Sequence, residues 1–505
     1  MFMHTLVRKG LILAIVVLFA TISVVPGVRT SGKGKDLFST NIAPDKQWDR
    51  MFGGDGWDEG RSVQQTSDGG YIITGSTLSY GAGNSDVWLI KTDPYGNEEW
   101  NKTFGGKDDD YGYSVQQTSD GGYIIVGCTF SYGSGDSDVW LIKTDSYGNE
   151  VWNRTFGGSN RDGGYCVQQT SDGGFVIVGI AGKRGGDVWL IKTDRDGNEE
   201  WNKTFGGPDL DCGYSIQQTD DGGYIIAGCM FYYGAFNSDI WLIKTDSYGN
   251  EMWNRTFGGK LLDCGYSVEQ TSDGGYIIAG YKSSYGAGCD IWIIKTDGSG
   301  NDIWNHTFGG EDMDYGYSVQ QTSDGGYVIV GSIGSYGVYC WEDVWLIKID
   351  EYGNEMWNRT FGGEDEDCGY SVQQTSDGGY IIVGCGTYKS HDVWLIKVAP
   401  EDKQPPAVKI VKPEKAIYFN NTRIIPFFIP VVIGSIDIVV NATDENSGVD
   451  HVEFYVDDRF KANDFTTPYS WTWSEGVFGM YTIKVVAYDN AGNQATTEIK
   501  VWRLF

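Results

Sequence analysis

One aspartate recurs at the same place in seven Gly-rich segments. The seven are Asp58, Asp110, Asp162, Asp211, Asp263, Asp314 and Asp367. Several have a second acid two residues earlier, and closely spaced carboxylates can bind Ca²⁺, a hard cation that takes about six to eight oxygen ligands. The candidate calcium ligands are Asp108 with Asp110, Asp312 with Asp314, and Asp365 with Asp367. The alternative is that each aspartate accepts hydrogen bonds from the backbone of its own loop. Calcium, if it binds, would be structural.

Two arginines, Arg161 and Arg184, depart from the pattern of the third Gly-rich segment. We expect them, together with the seven recurring aspartates, to form a ligand-binding surface, and the arginines would recognise an anionic ligand. The alternative is that they reflect ordinary sequence drift in a loop.

The chain lacks the residue patterns of familiar catalytic centres. Its four histidines show no metal-ligand spacing, and no nucleophile-elbow, zinc-protease or phosphate-loop phrase occurs. The sequence therefore predicts no catalytic residue. Acidic side chains around an axis can still serve a glycan hydrolase or lyase, so an enzyme that acts on extracellular polysaccharide stays the alternative.

Nine cysteines in an exported chain would favour disulfides. Cys212 and Cys229 have the same spacing as Cys368 and Cys385, and each pair flanks an Asp-Gly turn. The sequence therefore predicts two disulfides that cross a hairpin. Against this pairing, Cys128 and Cys264 occupy the same positions without a partner in their own unit.

Eight Asn-x-Thr sequons mark candidate glycosylation sites on an exported protein. They begin at Asn101, Asn153, Asn202, Asn254, Asn305, Asn358, Asn420 and Asn441. Six of the eight recur within the repeated unit, so the alternative is that Asn and Thr simply suit that strand.

These residues are set in a unit that repeats seven times. The phrase FGG recurs at intervals of 52, 52, 49, 52, 51 and 53 residues. Each unit contains four short segments of strand-forming residues, two of which flank an Asp-Gly turn, and no helical period. Four strands per unit of about 50 residues predict an all-β fold with a seven-bladed β-propeller.

The ends of the array and its loops support a closed ring. The outer-strand phrase first occurs at Trp48, ahead of any complete unit, and the last unit stops after Lys397 without it. The first strand is therefore expected to complete the last blade. All variation in unit length lies in the loop between the second and third strands, so we expect one varied, ligand-facing side. Fourteen tryptophans at two repeat positions are interpreted as packing between blades rather than as sugar platforms.

The unit SVQQTSDGGYIIVG…DVWLIKTDSYGNEVWNRTFGG resembles the propeller repeats of exported archaeal and bacterial proteins. Such proteins are often fused to Ig-like modules, and the resemblance covers residues 45–398. It implies a propeller and a surface location, and it carries no active site that can be transferred to this chain.

The remaining segments complete the predicted organisation. Residues 1–28, with Arg8 and Lys9 before an apolar run, form a signal peptide or an uncleaved N-terminal anchor. Residues 29–44 and 399–406 form linkers around the propeller of residues 45–398. Residues 407–505 alternate in short strands and form an Ig-like β-sandwich.

Net charge excludes one class of partner. With 38 Lys and Arg against 68 Asp and Glu, the chain carries a charge of −30, which argues against nucleic acid. We expect a non-catalytic protein, extracellular or at the cell surface, that serves adhesion, ligand binding or envelope structure. Its partner would be a glycan or protein, its contact with a membrane would be limited to the N-terminal anchor, and it needs no cofactor unless calcium is structural.

Overall fold

A computed structural model describes residues 43–504 except 183–185, 233–236, 285–287, 335–341, 364, 388–390 and 445–446. Within these ranges every regular element is a β-strand, which confirms the all-β class. The chain divides into two units, Met1–Ser39 and Thr40–Phe505. The first unit, which includes the predicted signal or anchor, lies outside the described residues. In the described ranges no helix is long and apolar enough to cross a membrane.

Twenty-eight strands build the repeated part of the chain. The first fourteen are β1 (Lys46–Phe52), β2 (Asp58–Gln65), β3 (Tyr71–Thr77), β4 (Asp86–Thr92), β5 (Glu98–Phe104), β6 (Asp110–Gln117), β7 (Tyr123–Thr129), β8 (Asp138–Thr144), β9 (Glu150–Phe156), β10 (Gly163–Gln169), β11 (Phe175–Ala181), β12 (Asp187–Thr193), β13 (Glu199–Phe205) and β14 (Asp211–Gln218). The next fourteen are β15 (Tyr224–Tyr232), β16 (Asn237–Thr245), β17 (Glu251–Phe257), β18 (Asp263–Gln270), β19 (Tyr276–Ser283), β20 (Cys289–Thr296), β21 (Asp302–Phe308), β22 (Tyr315–Gln321), β23 (Tyr327–Gly334), β24 (Glu342–Ile349), β25 (Glu355–Phe361), β26 (Cys368–Gln374), β27 (Tyr380–Thr387) and β28 (His391–Val398).

These strands form seven four-stranded antiparallel sheets. Sheets 1 to 6 each use four consecutive strands, from β2–β5 to β22–β25, and sheet 7 has the order β1-β28-β27-β26. The local cause is visible in sheet 1, where the turn between β2 and β3 places Gly69 at a φ of 87°. Only a residue without a side chain adopts that conformation at no steric cost, so the Asp-Gly turn sets the hairpin register.

Each sheet packs against the next, and sheet 1 packs against sheet 7. One buried cluster joins Val63, Tyr71 and Ile73 of sheet 1 to Ile381 and Leu395 of sheet 7. β1, from the start of the array, pairs with β28 near its end. The contacts between sheets therefore form a closed circuit within the described part of the chain.

A belt of backbone-to-side-chain hydrogen bonds follows the same circuit. The N–H of Gln117 donates to Gln64 Oε1 of the preceding sheet at 2.6 Å, and the N–H of Gln65 donates to Gln373 Oε1 of sheet 7 at 2.6 Å. Equivalent bonds join the other neighbouring sheets. Six of the seven acceptors are glutamines, and the seventh is Glu269.

Tryptophans fill the space between neighbouring sheets, as the sequence predicts. Trp100 on β5 meets Tyr123 on β7 of the next sheet with ring centroids 5.9 Å apart, and equivalent pairs recur around the circuit. Trp88 and Trp140, at the other repeat position, are only 2% and 3% exposed. These rings are packing groups rather than open platforms.

Residues 407–504 form a separate pair of sheets with ten strands. They are β29 (Ala407–Lys412), β30 (Ala416–Phe419), β31 (Thr422–Pro426), β32 (Val431–Ile433), β33 (Ile436–Thr443), β34 (Val449–Val456), β35 (Arg459–Asp464), β36 (Ser470–Trp473), β37 (Gly479–Asp489) and β38 (Gln494–Arg503). One sheet has the order β29-β33-β36 and the other has the order β31-β30-β32-β38-β37-β34-β35. Trp473 and Phe454 lie in the core between them. Two packed sheets around one core agree with the β-sandwich that the sequence predicts for this part.

Candidate functional site

The seven recurring aspartates lie at or next to the start of the first strand of each unit and are at most 7% exposed. In six of them Oδ2 accepts the N–H of the glycine four residues earlier, at 2.7–3.0 Å. In the seventh, Asp367 Oδ1 accepts the N–H of Thr387 at 2.8 Å. This is the arrangement that the backbone-acceptor alternative describes. Their burial does not favour direct contact between these carboxylates and a glycan or protein ligand.

In each of the three predicted calcium pairs, the two aspartates differ in burial. Asp108 is exposed and Asp312 and Asp365 are half-buried, whereas Asp110, Asp314 and Asp367 are buried. Burial raises the pKa of Asp314, and the carboxylate of Asp290 adds to the rise more than that of Asp312 does. The same order holds for Asp367, where Asp343 outweighs Asp365. The strongest acidic neighbour of these buried aspartates therefore comes from the preceding sheet, which the sequence does not indicate.

Among the described residues, one group of three potential metal ligands has donor atoms within 4.8 Å of one another: Asp402, Asp444 and Asp489. Asp489 Oδ1 already accepts the N–H groups of Ala491 and Asn493, at 3.0 and 2.8 Å. Asp444 Oδ1 accepts the N–H groups of Ser447 and Gly448. These carboxylates organise turns of the Ig-like part, and the sequence had not singled them out.

A pocket of about 530 Å³ opens where the loops of sheets 2 and 3 meet, with Leu210 of the loop that leads to sheet 4 at its edge. Both variable loop classes contribute to it, namely the loop between the second and third strands of a unit and the loop that leads to the next unit. We call the side that bears these loops the varied face, and the side that bears the Asp-Gly turns the turn face. The pocket is lined by Tyr111, Tyr113, Phe130, Tyr165, Asp136, Asn160, Arg161 and Asp162, among others.

Polar groups at the rim of this pocket surround an aromatic floor. Arg161, Asn160 and Asp136 are exposed, and the backbone of Arg161 forms a bridge with Ser137. Asp162 is held by the N–H groups of Gly158, at 2.7 Å, and Gly182, at 2.6 Å. The structure therefore places the predicted Arg161 and Asp162 in one site. Arg184 lies outside the described residues.

Six tyrosines, one from each of sheets 2 to 7, form a ring that the sequence analysis missed. Tyr113, Tyr165, Tyr214, Tyr266, Tyr317 and Tyr370 follow one another with centroid distances of 5.1–5.3 Å. Burial raises the pKa of each of these tyrosines, so their hydroxyls stay protonated near neutral pH. Two of them, Tyr113 and Tyr165, reach the pocket described above.

Arg61 occupies the seventh position of this tyrosine ring. Its guanidinium lies 4.1 Å from the ring centroid of Tyr370, and its charge lowers the pKa of Tyr113 on the other side, against the larger effect of burial. Glu59 holds Arg61 through two hydrogen bonds of 2.9 Å. Sheet 1 therefore carries the ion pair of Glu59 and Arg61 at two positions where the other sheets have uncharged residues. The replacement of the repeated Tyr by Arg61 was visible in the sequence as a departure of the first unit.

The disulfide in the structure is neither of the two that the sequence predicts. Cys212 and Cys229 face each other across β14 and β15, as expected. Cys229 is instead bonded to Cys264 of sheet 5, and Cys212 is a buried free thiol. Contact between sheets thus offers Cys229 a second partner, and the pairing of Cys212 with Cys229 stays a prediction. Cys368 and Cys385 face each other across β26 and β27, but both are free thiols.

All eight sequon asparagines are exposed. In the repeated unit the side chain is also engaged: Asn101 Oδ1 accepts Trp88 Nε1–H at 3.3 Å, and its Nδ2 donates to Glu98 at 2.6 Å. The same contacts recur at Asn153, Asn202, Asn305 and Asn358. A structural role for this asparagine therefore accompanies the glycosylation prediction.

Comparison with known proteins identifies one region of the chain. Residues 406–485 match the family model of a bacterial Ig domain. A comparison with curated proteins finds no significant match.

Solved structures show partial likeness to this chain. An extracellular domain of a hybrid two component system from B. thetaiotaomicron is 12% identical with a TM-score of 0.40; the alignment covers 92% of this chain and 60% of that one. A protein of unknown function from Dyadobacter fermentans is 11% identical with a TM-score of 0.41, and the alignment covers 70% of this chain and 99% of that one. This chain thus spans less than two thirds of the B. thetaiotaomicron domain.

Proposed function

We propose that the seven sheets form a seven-bladed β-propeller whose varied face binds a ligand, on a non-catalytic protein exported to the cell surface. The propeller is supported by the closed circuit of sheets, by the pairing of β1 with β28 and by the ring of Tyr113, Tyr165 and their equivalents. Export is supported by the N-terminal sequence pattern and by the match to a bacterial Ig domain.

The observation that carries the ligand proposal is the pocket of about 530 Å³ on the varied face. Its size lies within the range of small-molecule sites, and its aromatic floor with a few convergent polar groups is typical of them. Tyr111, Tyr165 and Phe130 offer apolar faces for sugar rings, while Asn160 and Asp136 offer hydrogen-bonding groups for hydroxyls.

Arg161 narrows the ligand class to an acidic glycan. The residue is exposed at the pocket rim, and a guanidinium binds a carboxylate through two parallel hydrogen bonds. We therefore propose that the protein binds an extracellular polysaccharide or glycoprotein glycan that carries carboxylate groups, and that this binding serves adhesion or envelope attachment.

The pocket's acids support binding rather than catalysis. Glycoside hydrolysis uses two carboxyl groups that flank the reacting bond. Of the two pocket acids, Asp162 has both oxygens occupied by the N–H groups of Gly158 and Gly182. Among the described residues that line the pocket, Asp136 therefore has no second carboxylate available for proton transfer. The glycan hydrolase or lyase alternative is therefore the weaker proposal.

A glycan array probed with the full-length exported chain tests this proposal. We expect binding to acidic glycans, with at least a tenfold loss of affinity in Arg161→Ala, since one charge-assisted pair is worth about 1.5–3 kcal/mol. The matched control is Arg195→Ala, because Arg195 lines a different pocket, on the turn face. Equal loss in both variants, or no glycan binding with or without calcium, would contradict the proposal, and glycan turnover would favour the enzyme.

A further inference from the structure

A pair of buried aspartates joins sheets 1 and 2. Asp86 begins β4 in sheet 1, and Asp110 begins β6 in sheet 2. Gly105, from the FGG phrase, lies between the two carboxylates. A Cβ atom at Gly105 would collide with Asp86 Oδ1 and would lie 3.0 Å from Asp110 Oδ2. The missing side chain of this glycine is therefore what allows the two carboxylates to approach.

One oxygen of each carboxylate in this pair has no hydrogen-bond partner among the described residues. Asp86 Oδ2 accepts the N–H of Ala82, and Asp110 Oδ2 accepts the N–H of Gly106 at 2.8 Å. Asp86 Oδ1 and Asp110 Oδ1 are buried and have no hydrogen-bond partner among the described residues. The two residues are 1% and 0% exposed. Buried acceptors without a donor are costly, so each calls for a partner that protein groups do not supply.

The charge of the pair is also uncompensated. The buried lysines of these two sheets pair with other acids: Lys91 with Asp68 and Glu99, and Lys143 with Asp120. Two carboxylates that share a buried site cannot both ionise without a counter-charge.

A glycine separates two aspartates in this way at the other six junctions between sheets, and at three of these junctions an Oδ1 atom again has no partner among the described residues. Gly157 separates Asp138 from Asp162, Gly258 separates Asp239 from Asp263, and Gly362 separates Asp343 from Asp367. At each of these junctions the aspartate of the earlier sheet, Asp138, Asp239 or Asp343, also has an Oδ1 atom without a partner among the described residues. The unsatisfied oxygen is thus a repeated feature of the junction rather than an accident of one loop.

We propose that a calcium ion binds between Asp86 and Asp110, and at the equivalent junctions, and so links neighbouring sheets. A divalent cation neutralises both carboxylates and can coordinate several oxygens at once, whereas a shared proton bridges only two of the four oxygens. Ca²⁺ fits better than Mg²⁺ because it accepts irregular oxygen geometry. The two carboxylates come from sheets 1 and 2, so this site differs from the pairing of Asp108 with Asp110 predicted from sequence.

Calcium titration of the full-length chain, after removal of metal with a chelator, tests this proposal. By isothermal titration calorimetry we expect several Ca²⁺ ions to bind per chain, and by calorimetric melting we expect Ca²⁺ to raise the Tm by about 5 °C or more. The variant Asp86→Asn with Asp110→Asn keeps side-chain volume and should bind one ion fewer. Asp108→Asn, which changes an exposed acid of the same loop, should bind as many ions as the unsubstituted chain.

Three outcomes would overturn the proposal. The first is a wild-type Tm and calorimetric signal that do not respond to Ca²⁺, which would leave a shared proton to neutralise the pair. The second is a double variant that binds as many ions as the wild type. The third is loss of an ion in Asp108→Asn, which would move the site to the exposed loop. The titration of the wild-type chain decides the first outcome even if the double variant fails to fold.

Discussion

The carboxylate of Glu269 accepts a hydrogen bond from the backbone N–H of Gln321 at 2.5 Å, at a position that glutamine occupies in the other six sheets. Burial raises the pKa of Glu269 to about 7, and the N–H of Gln321 only partly opposes the rise. One acid thus replaces a neutral amide in the belt that joins the sheets, and it titrates near neutral pH.

Glu269→Gln should stabilise the protein at pH 8 but not at pH 4. Between the ordinary pKa of a glutamate and about 7, the folded state holds a proton that the unfolded state releases, so stability falls as pH rises. Above pH 7 the penalty amounts to at most about 3 kcal/mol. Thermal melting of both proteins at the two pH values measures it.

The converse substitution is the control for the Glu269 prediction. Gln320 occupies the same belt position in sheet 6 and accepts the N–H of Gln374 at 2.6 Å. Gln320→Glu should therefore introduce a similar loss of stability at pH 8 and little at pH 4. A stability difference between Glu269→Gln and wild type that is independent of pH would contradict the assigned titration.

Asp221→Asn should weaken the protein at neutral pH and have little effect near pH 2. Lys244 is almost buried, and its Nζ lies 2.9 Å from Asp221, in a contact that recurs in all seven sheets at 2.9–3.1 Å. Burial alone would raise the pKa of Asp221, but hydrogen bonds from Thr219, Lys244 and Gly223 lower it to about 2. The stabilisation is thus present above the ordinary Asp pKa and is lost as pH falls through about 2.

The size of the Asp221 effect should be modest. The Asp221 side chain is 55% exposed, so solvent screens the pair, and we expect about 1 kcal/mol at pH 7. Denaturant unfolding of the variant and the wild type from pH 2 to pH 7 measures the difference. A difference that grows as pH falls would contradict the prediction.

Arg61→Tyr alone should destabilise the protein, whereas Arg61→Tyr combined with Glu59→Tyr should not. The single change leaves Glu59, whose side chain is 13% exposed, without its partner. The double change reproduces the residues of sheet 2, where Tyr111 and Tyr113 stand at the same two positions. We expect a loss of about 1–3 kcal/mol in the single variant and recovery in the double variant.

A double-mutant cycle on Glu59 and Arg61, followed by urea unfolding, measures their coupling directly. Additive effects of the two substitutions would show that the ion pair contributes nothing and that Arg61 acts only through its contact with Tyr370.

Cys264→Ala should lower the free energy of unfolding by about 3–4 kcal/mol, because the disulfide with Cys229 closes a loop across a separation of 35 residues. Cys212→Ala should leave this disulfide intact. Peptide mapping without reductant should yield a linked pair that contains Cys229 and Cys264. A linked pair of Cys212 and Cys229 would restore the pairing predicted from sequence.

Local pattern was sufficient to predict much of the architecture. Alternating apolar residues and the Asp-Gly turn act within a few residues, so the four strands of each unit and the Ig-like part followed from sequence. The tryptophan positions also followed, because a large ring repeated on the third and fourth strands of each unit must be packed. The sequence indicated only part of the pocket, since Arg161 stood out as a departure whereas Tyr113 and Tyr165 belonged to the repeat.

What the sequence by itself determined was therefore the set of strands, their number in each unit and the recurrence of Asp110 and its equivalents. The tertiary structure decided which groups meet between sheets: Asp86 with Asp110, Cys229 with Cys264, and Arg61 with Tyr370. The physical reason is that strand pairing obeys rules over short chain distances, whereas contact between packed sheets depends on how side chains interlock. Spacing along the chain does not determine how side chains of neighbouring sheets pack together. The residue pairs that meet between sheets therefore became known only from the fold.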